Sequence, residues 1–310
     1  MEINVTRTFD LLDRLEANHP DKEDILSRSL GGNWTKVSVK EYIKLSYSVA
    51  YALLSLGYQK GDKAITICNN RPEWNFVDMG LNLSGMVHIP VYPTLSEDEY
   101  LHIFNHSDAK ILFLGNPNHY KKISPIIAKM DRPAKVYLMD DSTEIDCLSN
   151  LYKIGEENRD KFSPVVEKIK SETGKDDLAT IIYTSGTTGT PKGVMLSHWN
   201  LMFNAMAHAK KQPVTSSQKM VSFLPLCHIY ERSMNYEYQY IGISIYYAES
   251  ISTIQRDLAG CHADGFCSVP RVLEMMYFKF EAAGKNLTGI KKKIYKKAWN
   301  FANTFDYYNL

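Results

Sequence analysis

The sequence has 310 residues, enough for a large core and, at the usual size, for about two domains. Its 36 Lys and Arg against 35 Asp and Glu leave a formal charge of +1. No global field therefore gathers nucleic acid or an anionic membrane, and a charged ligand has to be held locally. The N-terminal stretch "MEINVTRTFDLLDRLEANHPDKED" carries acids and no long apolar run, unlike a secretory signal. No run reaches the roughly 18 apolar residues of a spanning helix, so the expectation is a soluble, cytoplasmic chain. The cysteines Cys68, Cys147, Cys227, Cys261 and Cys267 are odd in number and form no C-x-x-C pair, which fits a reducing compartment better than a disulfide framework or a zinc site. Cys261, His262 and Cys267 lie close in sequence, and buried small residues beside one surface His is the commoner reading of such a group.

In chain order, "VSVKEYIKLSYSVAYALLSLGYQKGD" places Tyr42, Leu45, Val49, Leu53 and Leu56 at helical spacing, with Gly57 where a helix ends. The strand "KAITIC" follows. "NNRPEWNFVDMGLNLSG" sets Pro72 at a first helical position and Gly85 at the far end. "MVHIPVY" is a short β-branched run, and "SEDEYLHIFNHS" opens with a capping box of Ser96 and Glu99. "KILFLG" reads as a strand, "HYKKISPIIAKM" as a helix interrupted near Pro125, and "AKVYLM" as a strand again. This alternation predicts right-handed crossovers in a mostly parallel sheet, hence an α/β fold. Residues 140–177 are more polar, and "EENRDKFSPVVEKIKSETGKDD" reads as a solvated helix and loop rather than a linker.

Further on, "HWNLMFNAMAHAKK" predicts a helix, "KMVSFLPL", "ISIYYA" and "GFCSV" predict strands, and "PRVLEMMYFKF" predicts a helix begun by Pro270. In the tail, Ile290, Ile294, Ala298 and Phe301 recur at helical spacing among Lys291, Lys292, Lys293, Lys296 and Lys297. The wet face of a packed helix is the commoner meaning of such a charge run. A helix lying at the periphery of a membrane is the alternative.

Between two apolar runs stands "YTSGTTGTPKGVMLSH", residues 183–198, with more hydroxyls and glycines than a turn needs. Gly186, Gly189 and Gly193 let backbone amides turn toward one point. Thr184, Ser185, Thr187 and Thr188 add hydroxyl donors, and Lys192 adds a point charge. Hydrogen bonds to a charged group contribute about 1.5–3 kcal/mol each, so a polyphosphate is the natural ligand. The stretch is not a Walker loop: Gly193 follows Lys192 where that motif has Ser or Thr, and a strand rather than a helix comes next.

The loop resembles the signature of the adenylate-forming superfamily, which includes acyl-CoA synthetases, luciferases and peptide-synthetase adenylation domains. "NRPEW", "GMVHIPVYPTLSEDEYLHIFNHSDAKILF", "FLPLCHIYER" and "SVPRVLEMMY" resemble stretches of long-chain fatty acid-CoA ligases, so the resemblance spans nearly the whole chain. It implies stacked α/β subdomains in an αβαβα arrangement: residues 61–217 with the phosphate loop, and 1–60 with 218–310 as a second, incomplete subdomain. It also implies ATP, Mg²⁺, coenzyme A and a fatty acid as cofactors and substrates, with no nucleic acid. Ser185, Gly186, Thr187, Thr188, Gly189 and Lys192 match the positions that hold the phosphates, and Thr184 matches the hydroxyl that helps hold Mg²⁺.

His228 matches a position beside the acyl and adenylate site and is the candidate catalytic residue. Glu231 and Arg232 either orient it or pair with each other, and Arg271 reads as an ordinary surface residue. The family's aromatic-Tyr-Gly-x-Thr-Glu segment, its ribose-binding Asp and its mobile C-terminal domain with a catalytic Lys have no counterpart in these 310 residues. The expectation is an N-terminal portion, inactive alone and inclined to self-associate through uncovered apolar surface. A fatty acyl-AMP ligase, a carrier-protein-loading adenylation enzyme and a non-catalytic nucleotide-binding fragment are the alternatives.

Overall fold

The computed structural model describes residues 3–184 and 190–305. The chain begins with α1 (Asp10–Asn18), a hairpin of β1 (Leu26–Leu30) and β2 (Asn33–Val37), and α2 (Val39–Ser55). Next come β3 (Lys63–Ile67), α3 (Pro72–Leu83), β4 (Val87–Val91), α4 (Glu97–Ser107), β5 (Ile111–Leu114), α5 (Pro117–Ile127) and β6 (Lys135–Leu138). The long α6 (Leu148–Glu172) leads to β7 (Leu178–Thr184), β8 (Lys192–Ser197) and α7 (His198–Ala209). Then follow β9 (Lys219–Ser222), α8 (Ile229–Ile241), β10 (Ser244–Tyr247), α9 (Ile254–Cys261), β11 (Gly265–Phe266), α10 (Pro270–Lys285) and α11 (Gly289–Thr304). The architecture is α/β, as the alternation of apolar runs predicts.

Two sheets organise it. The larger has the order β6-β5-β3-β4-β7-β8, parallel except that β8 returns antiparallel on β7. The smaller has the order β11-β9-β10-β1-β2, parallel except for the β1–β2 hairpin. All strands of the larger sheet come from 63–197, whereas the smaller takes its strands from 26–37 and 219–266. Helix α3 touches β4 of one sheet and β1 of the other, and all of its residues except Glu73 are buried. Its closeness to α2 requires a glycine: a Cβ on Gly80 would stand 2.5 Å from Val49 Cγ1. The α2–α6 contact has the same requirement at Gly155, where a Cβ would meet the Ser48 carbonyl oxygen at 2.0 Å.

Between the sheets, α3 and α8 share a buried polar cluster. Arg232 on α8 donates to Asp78 Oδ1 on α3 at 2.5 Å and to Thr180 Oγ1 on β7 at 2.7 Å. His88 Nδ1 on β4 donates to Asp78 Oδ1 at 2.7 Å, and Tyr236 OH donates to Asp78 Oδ2 at 2.6 Å. Burial raises the Asp78 carboxyl, but the Arg232 guanidinium and the bonds from His88 and Tyr236 outweigh it and hold the group at about 2.

Several expectations are corrected. Helix α5 is not interrupted at Pro125: Asn116 caps it by accepting from the His119 amide, and it runs on to Ile127. Pro125 stands in the last turn, where a missing N–H removes a single ladder bond. The strands expected over "KMVSFLPL" and "GFCSV" shorten to Lys219–Ser222 and Gly265–Phe266. The hairpin β1–β2 and the helices α1, α8 and α9 are additions. The capping box of Ser96 and Glu99 forms as expected.

The described chain divides into two compact units, one ending at Phe266 and one beginning at Cys267. In the second, Tyr295 of α11 lies over Gly284 of α10, and the rings of Tyr277 and Trp299 meet at 5.1 Å. Among the described residues, no helix is long and apolar enough to cross a membrane.

Candidate active site

The stretch flanking the glycine and threonine loop is a β-hairpin. Strand β7 ends at Thr184 and β8 begins at Lys192, and these two residues pair across the ladder. Ser185, Gly186, Thr187, Thr188 and Gly189 lie outside the described residues. Gly193, expected to turn amides toward a ligand, instead sits in the ladder opposite Tyr183. A Cβ there would stand 2.7 Å from Ile181 Cγ2, so its small size serves packing within the hairpin. Lys192 is exposed and makes no ion pair among the described residues.

Thr184 and Pro191 face a cavity of about 380 Å³ whose opposite wall carries Cys227, His228 and Ile229. Pro90, Val91 and Tyr92 from the end of β4 and Glu99 and Ile103 from α4 close the remaining sides. Thus two of the site residues expected from sequence, Thr184 and His228, meet at one concavity although 44 positions separate them (228 − 184). The size is that of a small-molecule site, and the lining is mostly apolar with a few polar groups, the usual composition.

Local bonding explains where His228 stands. It is the N-cap of α8, and its Nδ1 accepts from the Tyr230 amide at 3.2 Å. An imidazole that accepts at Nδ1 carries its proton on Nε2 when neutral, so Nε2 is the donor. The preceding segment is anchored by Asn70, of "NRPEW": its Nδ2 donates to the Leu224 carbonyl at 2.6 Å and its Oδ1 accepts from the Leu226 amide at 3.0 Å. The neighbouring Arg71 forks onto Glu73 with two bonds of 2.8 Å and donates to the Gly115 carbonyl. Two sequence stretches that look unrelated are therefore one structural unit.

Around the cavity, burial pushes the phenols of Tyr92 and Tyr183 up to about 12 and raises the Cys227 thiol. These groups are neutral at ordinary pH, and Cys227 is an apolar wall rather than a nucleophile. Glu99 is lowered, first by the Ser96 hydroxyl and then by the Ser96 amide.

Glu231 and Arg232 neither orient His228 nor pair with each other. Arg232 turns inward to Asp78, and Glu231 accepts from Asn235 Nδ2 at 3.3 Å. Both are buried because α8 lies between the sheets, and burial pushes Glu231 up to about 8. Arg271 is exposed and pairs with Glu274. Cys261 is buried, and no group of three or more His, Cys, Asp or Glu among the described residues could hold a metal ion. Sequence reasoning missed the walls from Tyr92, Glu99, Ile103 and Cys227; the capping box was the one visible sign that this part of α4 is fixed.

A β-hairpin whose described ends, Thr184 and Pro191, line a cavity at the strand ends of an α/β fold has the form of a small-molecule site in an α/β enzyme. The comparisons make it specific. The model of the AMP-binding enzyme family matches residues 12–299, and the chain belongs to that family. It is 29% identical over 282 residues to long chain acyl-CoA synthetase 7, peroxisomal, of Arabidopsis thaliana, covering 87% of this chain and 39% of that protein. It is 28% identical over 313 residues to fatty acyl-CoA synthetase A of Dictyostelium discoideum, covering 95% and 46%. The chain thus spans less than half the length of these curated relatives. Among solved structures, a long-chain-fatty-acid-CoA ligase from Archaeoglobus fulgidus superposes with a TM-score of 0.75 at 20% identity, over 91% of this chain and 55% of that one. The N-terminal domain of FACL13 from Mycobacterium tuberculosis gives 0.72 at 19%, over 87% and 64%. The fold is that of the N-terminal region of adenylate-forming enzymes.

Proposed function

We propose that this chain is the N-terminal portion of an ATP-dependent long-chain fatty acid-CoA ligase. The carrying observation is the meeting of Thr184, at the end of the signature hairpin, with His228 at one largely apolar cavity. In the proposed reaction a carboxylate oxygen of the fatty acid attacks the α-phosphorus of ATP, and the bond to the bridging oxygen breaks to release pyrophosphate. The sulfur of coenzyme A then attacks the acyl carbon, and AMP leaves with the electron pair of the acyl–oxygen bond. Residues of the loop and Lys192 hold the β- and γ-phosphates, the departing side, where donors aimed at accumulating charge contribute most. Thr184 would help hold Mg²⁺, which would supply charge neutralisation on the departing side. His228 donates through Nε2 to the carboxylate. The five free cysteines support a reducing, cytoplasmic setting.

Titration calorimetry with ATP and Mg²⁺ tests the reading. Binding that disappears in Thr188→Ala together with Lys192→Ala is expected; binding that survives the pair removes the phosphate loop from the proposal. In the longer parent protein, ATP, palmitate and coenzyme A should yield pyrophosphate and a thioester, and background levels of both would sink the ligase assignment. Coenzyme A compared with a phosphopantetheinyl carrier as acceptor separates the ligase from its carrier-loading relatives.

A further inference from the structure

Helix α4 has two tasks on adjacent faces. Glu99 and Ile103, four apart, form part of the cavity wall. His102 and His106, also four apart, turn to the hairpin, stacked on each other with centroids 5.3 Å apart. His102 Nε2 donates to the Pro191 carbonyl at 3.0 Å, on the β8 side, and His106 Nδ1 shares a hydrogen bond of 2.7 Å with Tyr183 OH, on the β7 side. The His106 and Tyr183 rings also meet edge to face at 5.8 Å. Both ends of the segment that joins the strands are thereby tied to one helix turn. That turn is itself fixed: the Ser96–Glu99 capping box closes the helix start, and Asp108 in the left-handed region at φ 56° closes its end.

We propose that His102 and His106 are positioning residues for the proposed phosphate site, a two-point clamp that sets the separation and tilt of Tyr183 and Pro191 on either side of it. The inference rests on the nucleotide reading above. Neither histidine is a catalytic residue; each acts through the hairpin. Pro191 suits the device, because it has no N–H and its carbonyl is the one backbone hydrogen-bonding group it offers, and His102 takes that group. The histidines are also near enough to the wall at Glu99 and Ile103 for the clamp and the cavity to share one rigid support.

The test compares His102→Leu, which removes the donor, with His102→Gln, which keeps an N–H at similar reach, on the whole chain. Two readouts are taken: hydrogen exchange of the amides of residues 192–197, and the affinity for tripolyphosphate and for ATP, each with Mg²⁺. The leucine variant should exchange faster and bind about three- to tenfold more weakly, the range set by one ordinary hydrogen bond. Glutamine should restore both. Tyr183→Phe, at the other contact, should shift exchange and affinity the same way, and it stands in for His102→Leu if that variant fails to fold. Faster exchange with unchanged affinity would overturn the positioning role and leave a structural contact. Unchanged exchange would overturn the clamp. A wild-type chain that binds neither probe would overturn the phosphate site and the positioning role with it, an outcome distinct from a wild type and a leucine variant that bind equally well.

Discussion

Glu231 and Arg232 are consecutive residues of α8, both buried, and they meet opposite fates. Arg232 enters a cluster in which Asp78, His88, Thr180 and Tyr236 are partners to one another. Glu231 has no cation beside it, only the neutral Ser222 hydroxyl and Asn235 amide, which lower it too little to offset burial. Asp78 consequently stays ionised down to about 2, while burial drives Glu231 up to about 8. Depth of burial is similar, so the difference lies in what surrounds each group. A charge between the sheets persists where a guanidinium and several donors are present, and a proton takes their place where they are absent.

The contrast can be broken first at its strong end. Arg232→Met would leave the Asp78 carboxylate buried without its cation, and should cost about 3–5 kcal/mol in urea unfolding followed by tryptophan fluorescence. Thr66→Val is smaller. It removes the hydroxyl within 2.8 Å of His88 Nε2, and a buried ring nitrogen left unpartnered should cost about 1–3 kcal/mol by the same measurement.

Glu231→Gln sharpens the weak end through pH. The carboxyl ordinarily titrates at 4.5 and in the folded chain near 8, so the folded state retains a proton that the unfolded chain has released. Its contribution to stability is therefore complete below 4.5 and lost as pH rises toward about 8. Asp78 runs the other way: its contribution is present above 3.8 and lost as pH falls toward about 2. Unfolding curves between pH 5 and 8 should flatten in Glu231→Gln and keep their acid-side fall. An unchanged slope would place the titrating group elsewhere.

The same helix shows what the sequence could and could not disclose. The alternation of "KAITIC", "MVHIPVY", "KILFLG" and "AKVYLM" with helical periodicities exposed the larger sheet, because its strands are buried on both faces and read as apolar runs. In α8, "IYERSMNYEYQYI", the buried face includes Glu231, Arg232, Asn235, Glu237 and Gln239, so an apolar period never appears. Its burial depends on partners from α3, β4 and β7 that no local pattern announces. The β1–β2 hairpin did carry a sign: Gly31 and Gly32, both at positive φ, are a two-residue connection between "LSRSL" and "NWTKV". For the candidate site, the loop and His228 were visible as motifs. The cavity they share was not, because its walls come from three separated stretches of chain, 90–103, 182–191 and 227–229.

Asn70 follows the last strand residues of β3 in one sheet, and the backbone it grips, at Leu224 and Leu226, follows β9 in the other. One amide side chain thus ties together the downstream rims of both sheets. Inserting a residue on either side of that tie would shift His228 against the hairpin, so variation in loop length in this lineage is expected to bypass residues 68–70 and 223–228.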